Sequence, residues 1–340
     1  MRKVTVASTY AKIDQNRKNY LNGDINCIPF TTIKSLDIPG IEQQMYYLIS
    51  ASSGVGKSKL ARSMFIHSAL ASGRKLKIFY FSLEESKEKI MLTEISKRLW
   101  SKFKIRKSIR QLMSIGHNAY ITDTDYEKIL TVKDEVEKYM TQIEVIDDIR
   151  SADKIYDTVL QYKLKNGRIE NGSYIADSPE EYVLVVVDHV GLLEVPAKST
   201  LKSEISKLSS TYAIELRNIF GCSLVFVQQQ AAAVEAGDAQ KVTKLEPSYS
   251  QLGEHKLTYQ DCDVMISLFN PDRYGVVEYR KYKVQNFNGK YRCIIVNKNR
   301  YGIENEHLSV LFDPVVETFT ELPNPSDKVA MDKIYEYCAQ

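Results

Sequence analysis

Residues Ser52-Ser53-Gly54-Val55-Gly56-Lys57-Ser58 combine two glycines, a lysine and a hydroxyl at a spacing that suits an anion. Gly54 and Gly56 let the backbone curl so that amide N–H groups face inward with no Cβ in the way. Lys57 adds a point charge for the β- and γ-phosphates of a nucleotide, and the Ser58 hydroxyl is a magnesium ligand. Leu48-Ile49-Ser50 reads as a strand entering the loop, and a helical pattern starts at Lys57. The dipole and free amides of that helix start therefore add to the anion site. The pattern is G-x-x-x-x-G-K-[ST] except that Ala51 stands at the first position, which needs only a small residue. ATP with Mg2+ is the expected cofactor, contacted by Ser53, Gly54, Val55, Gly56, Lys57 and Ser58.

A phosphate loop calls for an apolar strand ending in an acid that holds magnesium, and Val183-Leu184-Val185-Val186-Val187-Asp188 supplies one. An acid at such a strand end is costly to bury without a cation, so Ser58 and Asp188 are the expected metal residues. Hydrolysis also needs a group that takes a proton from water. The strand Ile78-Phe79-Tyr80-Phe81-Ser82 leads into Leu83-Glu84-Glu85, and Glu84 is the expected general base, with Glu85 the second candidate. His189, following the strand-end acid, is given no catalytic role.

These groups must be positioned by strands and helices in alternation. Short β-branched or aromatic runs predict strands over residues 46–50, 77–82, 143–146, 182–188, 223–228, 264–269, 291–296 and 308–312. Helical patterns cover 57–72, 86–101, 152–163 and 201–220. Strands separated by helices give an α/β fold with a mostly parallel central sheet flanked by helices. The run 183–187 is apolar throughout, as befits a central strand buried on both faces. The last two strands are close in sequence and form an antiparallel edge near the C-terminus. The expected division is an arm over 1–40 with a short helix near 10–21, a domain over 41–323, and a helical tail over 324–340.

The chain has 340 residues, 44% hydrophobic and 26% charged, an ordinary folded composition with ample material for a large core. Lys and Arg number 46 against 43 acids, a net +3, so a wholesale basic coat is excluded while a local basic groove is not. The longest apolar run is far too short to span a bilayer, and no membrane partner is expected. Five scattered cysteines, Cys27, Cys222, Cys262, Cys293 and Cys338, offer neither a CxxC pair nor a disulfide framework and suit a cytoplasmic protein. Lys102, Lys104, Arg106, Lys107 and Arg110 form a stretch without acids that reads either as a nucleic-acid contact or as a solvated helix face.

The ordered set ISASSGVGKS, YFSLEES, LVVVDHVGLL, VFVQQQ and KNRYG resembles the RecA-like P-loop ATPase domain of DnaB-type replicative DNA helicases, especially bacteriophage versions. The resemblance runs from about residue 41 to about 322. It implies a ring, usually a homohexamer, with ATP at subunit interfaces and single-stranded DNA in the channel. It further implies that Gln229, or the adjacent Gln228, senses the γ-phosphate and relays hydrolysis to DNA-holding loops. Lys298 and Arg300 would reach the neighbouring subunit's γ-phosphate. DNA contact would come from segments 194–203 and 231–256, with Lys241, Lys244, Gly253, Glu254 and Lys256 as candidates. Here the chain departs from the family: Gly253 stands where Arg is common, and Ala231 and Ala232 where polar residues are common.

Family members carry an N-terminal domain that binds primase, whereas about 40 residues precede the ATPase core here. Primase or a helicase loader remains a partner implied by the family, without that domain as the means. The resemblance implies ATP hydrolysis coupled to DNA unwinding. The alternative is a RecA/KaiC-like DNA-binding ATPase that coats, loads or remodels without separating strands. A third reading, a small-molecule P-loop kinase, leaves Lys298 and Arg300 unexplained.

Overall fold

The computed structural model describes residues 5–117, 119–171, 173–230, 245–252 and 256–339. Strands numbered in chain order are β1 (Tyr46–Ala51), β2 (Leu76–Ser82), β3 (Ile143–Ile146), β4 (Gly167–Glu170), β5 (Ser173–Ala176), β6 (Tyr182–Asp188), β7 (Ser223–Gln229), β8 (Val264–Phe269), β9 (Glu278–Tyr279), β10 (Tyr282–Lys283), β11 (Tyr291–Asn299), β12 (Glu306–Asp313) and β13 (Thr318–Glu321). The order β13-β12-β11-β8-β1-β7-β6-β2-β3 makes one nine-stranded sheet. β8, β1, β7, β6, β2 and β3 run parallel. β11, β12 and β13 join by antiparallel pairing. The expected antiparallel edge is therefore present, extended by β13, whose four residues carry too little pattern to be read from sequence.

Every residue of β1 and of β6 is buried, because helices cover both sheet faces. Alternation divides the core in two. Tyr47, Ile49 and Ala51 belong to one cluster with Leu60, Met64 and Phe65 of the helix after β1. Tyr46 and Leu48 belong to another with Val159, Leu208 and Leu216. The helix after β1 covers residues 57–71, with a π-helical stretch, Arg62–His67, between two α-helical segments. The helix over residues 201–218 is interrupted in the same way by Lys207–Ala213. Helices Asp123–Thr131 and Lys133–Gln142, not read from sequence, bury only Val136 and Tyr139 between them.

The arm helix α1 (Val6–Leu21) buries none of its side chains. The segment after it is different: Ile28, Phe30, Ile33, Leu36 and Ile38 join the cluster that packs under β1. Ile28 and Ile41 exchange backbone hydrogen bonds of 2.9 and 2.8 Å. Gly40 makes that closure sterically feasible, since at φ +146° a Cβ would lie 2.0 Å from the Ile28 oxygen. Gly40→Ala is therefore expected to lower the unfolding free energy by about 3 kcal/mol or more in denaturant titration. Gly73→Ala, at φ +68° in open space, should cost only about 1 kcal/mol. Equal costs at the two positions would remove the steric requirement at Gly40.

Candidate functional site

β1 delivers its C-terminal end between β7 and β8, at the edge of the sheet where the parallel strands all terminate. Ala51 is the last residue of the strand, opposite Gln229, and its carbonyl accepts from Gln230 N at 3.0 Å. It keeps an ordinary strand conformation, which explains why alanine serves where the loop pattern has glycine. The left-handed residues come later, Gly54 at φ +73° and Gly56 at φ +113°. A Cβ on Gly56 would approach the Phe312 ring to 3.0 Å. Two arginines tie down the loop carbonyls: Arg273 Nη1 donates to Ser53 O at 2.6 Å and Arg292 Nε to Val55 O at 3.0 Å. Neither residue was singled out in the sequence, since each is more than 200 residues from the loop carbonyl it meets.

The loop places Lys57, Ser58, Glu84 and Asp188 together. Lys57 is buried, and its Nζ lies 3.5 Å from Glu84 Oε2, while the Glu84 side chain is half exposed. Ser58 Oγ donates to Asp188 Oδ1 at 2.9 Å, and Tyr80 OH donates to Asp188 Oδ2 at 3.1 Å. Burial pushes the Asp188 carboxyl up to about 6, against the pull of the Arg62 charge and the Ser58 hydrogen bond. Burial, reinforced by Lys57, pushes the His189 imidazole down to about 4, so the ring is neutral at pH 7. Its Nε2 stands 3.6 Å from Glu84 Oε2, and among the described residues its buried Nδ1 has no hydrogen-bond partner. Geometry thus makes His189 a site residue, although sequence assigned it no role.

The glutamines at the end of β7 separate. Gln229 is exposed, whereas Gln228 is buried and ties Leu252 to Thr258: its Nε2 donates to Leu252 O at 3.3 Å, and its Oε1 accepts from Thr258 Oγ1 at 2.6 Å. Gln230 Nε2 donates to Ser50 Oγ at 3.3 Å. Of the DNA candidates, Lys256 is exposed at the start of the helix Leu257–Asp261. Lys241, Lys244, Gly253 and Glu254 lie outside the described residues.

Lys298 and Arg300 share one face, as their spacing predicts, and both donate to Gln260 O, at 3.1 and 2.6 Å. Arg300 also meets Asp263 Oδ1 at 3.4 Å. They stand at the far edge of the sheet from the phosphate loop. Lys298 is in register with Met265 and Asn299 with Val264, which in turn pairs with Tyr47 near the start of β1. Four residue steps, Tyr47 to Ala51, separate that level from the end of β1, roughly 13 Å, beyond the reach of either side chain. The basic stretch 102–110 is largely spent within the chain. Lys102 pairs with Glu135, Lys107 with Asp125, and Arg106 with Asp313, while Lys104 lies over the Trp100 ring.

The raised Asp188 pKa has a consequence for stability. The carboxyl binds its proton more tightly folded than unfolded, so the nucleotide-free chain loses stability as pH rises through about 6. Asp188→Asn should raise the unfolding free energy at pH 7.5 by on the order of 1–3 kcal/mol, with little gain at pH 4. Denaturant titrations of the nucleotide-free protein at both pH values test this, and equal effects at the two would contradict it.

The profile of the DnaB-like helicase C terminal domain family matches residues 30–321. No curated protein sequence matches the chain. Among solved structures, the ATPase domain of G40P superposes with a TM-score of 0.68 at 20% identity, covering 94% of this chain and 99% of that one. A DnaB-like replicative helicase, described with its interactions with primase, gives 0.67 at 20% identity over 94% of this chain and 67% of that one. At these identities the superpositions establish the RecA-like fold, and the sequence profile establishes kinship. With the profile spanning most of its length, the chain belongs to the DnaB-like helicase C-terminal domain family.

Proposed function

We propose that this chain is a ring-forming, ATP-driven DNA helicase motor that moves along single-stranded DNA and separates duplex in the cytoplasm. The observation that carries the reading is the split of cationic groups between two sheet edges. Lys57 sits in the phosphate loop, while Lys298 and Arg300 stand on the opposite edge, where they serve a nucleotide only if it belongs to another copy. A heterologous head-to-tail interface that closes on itself, as in a homohexamer, brings the two edges together.

In this reading Ser53, Gly54, Val55, Gly56, Lys57 and Ser58 hold the ATP phosphates. Ser58 and Asp188 suit Mg2+, a hard cation that takes oxygen ligands. Their oxygens lie 2.9 Å apart, and the Asp188 charge, opposed by burial, gains from a cation beside it. A bound Mg2+ would neutralise charge on the β- and γ-phosphates. Glu84, half exposed beside Lys57, takes the proton from the attacking water. Lys298 and Arg300 of the adjacent copy stabilise charge on the transferred phosphoryl group. Gln229, exposed at the end of β7, senses the γ-phosphate, and Gln228 relays its state to Leu252 and Thr258. Lys241, Lys244, Gly253, Glu254 and Lys256 contact the DNA backbone. Primase or a loader is a partner on the same family ground, a related helicase having been described with primase.

A forked duplex with 5′ and 3′ tails tests the whole reading. Strand displacement that requires ATP, with hydrolysis stimulated by single-stranded DNA, is expected. DNA-stimulated hydrolysis without displacement would favour a non-unwinding, RecA/KaiC-like ATPase instead. Lys57→Ala should reduce turnover about 100-fold or more. Mixing Lys57→Ala with Arg300→Ala subunits should restore activity at about a quarter of the interfaces in a randomly assembled ring. Each rescued site draws its lysine from one copy and its arginine from the next, so absence of rescue would rule out Arg300 acting across the interface.

A further inference from the structure

Arg62 lies one turn beyond Ser58 in the phosphate-loop helix, at the first residue of the π-helical stretch, and is 1% exposed. A guanidinium so placed loses its hydration, and packing alone would favour an apolar side chain of similar volume. Its contacts come from three other elements. Nη1 donates to Tyr80 OH at 3.1 Å and to Glu85 Oε2 at 2.6 Å. Nη2 lies 2.9 Å from both carboxylate oxygens of Glu317, which connects β12 and β13. Lys59 reaches the same Glu317 at 2.8 Å, so two cations face two carboxylates and the cluster is formally neutral.

Two of those contacts lead to the candidate site. A guanidinium carries only donors, so the Tyr80 oxygen accepts from Arg62 and its single proton is left for Asp188 Oδ2. That fixes which carboxylate oxygen is occupied and leaves Oδ1 on the Ser58 side. Glu85 is pinned by its side chain to Arg62 and by its carbonyl to Ser82 Oγ at 2.6 Å. On the other flank, Leu83 N donates to Asp188 O at 2.6 Å. The backbone of Glu84 is thus clamped on both sides, while its carboxylate stays half exposed beside Lys57.

We infer that Arg62 is a positioning residue for nucleotide hydrolysis, fixing Glu84 through Glu85 and Asp188 through Tyr80. This rests on the reading of the site as an ATP-hydrolysing centre. Near-attack geometry is sensitive to shifts of about 1 Å, which cost about 100-fold in rate, so loss of the guanidinium should act on turnover more than on nucleotide binding.

The test is ssDNA-stimulated ATP hydrolysis by the full-length chain as Arg62→Met, Arg62→Lys and Glu85→Gln, with thermal midpoints recorded alongside. Arg62→Met should lower kcat about 100-fold while KM for ATP stays within about threefold. Arg62→Lys, a single point charge where a planar fork was, should recover about 10-fold of that loss. Combined with Glu84→Gln, Arg62→Met should add about 10-fold rather than its full 100-fold, because the Glu84 route is already gone and only the Asp188 route remains. A kcat within twofold of wild type, a loss carried by KM, or a full additional loss in the Glu84→Gln background would each overturn the inference. Should Arg62→Met fail to fold, Glu85→Gln decides: its side chain is 30% exposed and it removes one arm only. Its expected kcat loss is about 10-fold with the midpoint little changed, and unchanged kcat overturns the assignment. A wild-type chain without ATP hydrolysis would overturn the parent reading as well, whereas an active chain indifferent to Arg62 overturns this inference alone.

Discussion

The carboxylate of Asp188 ends a strand that is buried along its whole length, and no hydration is available to keep its charge there. Its neighbours must do so, and the local architecture follows from how they do. Ser58 occupies one oxygen and Tyr80 the other. Tyr80 can direct its proton inward only because Arg62 donates to its oxygen, and Arg62 can be buried only because Glu85 and Glu317 converge on it. The phosphate-loop helix, the turn after β2, the end of β6 and the β12–β13 connection are thereby held in one register by directional bonds. Removing Glu317, buried against Arg62, leaves an uncompensated buried charge, which is far costlier than removing an exposed ion pair.

A parallel sheet also has two unlike edges, and the chain uses them differently. At the ends of β1, β2 and β6 the strands open into the loop, Glu84 and Asp188. Two arginines brace that edge by bonding the loop's backbone carbonyls. At the opposite edge, Lys298 and Arg300 are held by the carbonyls and carboxylate of residues 259–263. Separation of the two groups by the length of β1 is a property of the fold, and under the proposed function it makes assembly a condition of catalysis.

How far these features could be read from sequence depends on the range of the interactions that make them. β6 was legible because five consecutive aliphatic residues admit only a strand buried on both faces. The loop was legible because Gly54, Gly56, Lys57 and Ser58 act locally and in order. β13 was not, because four residues leave almost no period, and the helices at 123–142 were not either, although Val136 and Tyr139 of the second are buried. Arg62 offered one clue, a cation within the apolar run Leu60-Ala61-Arg62-Ser63-Met64-Phe65. Its meaning lay in Glu317, 255 residues away, which no local pattern encodes. His189 was set aside for the same reason, since only the fold brings its ring beside Glu84.

Charge shows the same dependence on distance. The run from Lys102 to Arg110 looks like an anion-binding strip in one dimension. In three dimensions Glu135, Asp125 and Asp313 meet it from separate elements and cancel most of its field. A nearly neutral chain that pairs its densest basic run internally has little long-range attraction for a polyanion. Under the proposed function, affinity for nucleic acid must then come from a few cations at close range, where contacts with backbone phosphates release counterions. In that reading Lys256, exposed at the start of the helix Leu257–Asp261, is one such cation, and a strand of DNA held there would sit at the far end of hydrogen bonds that start on β7.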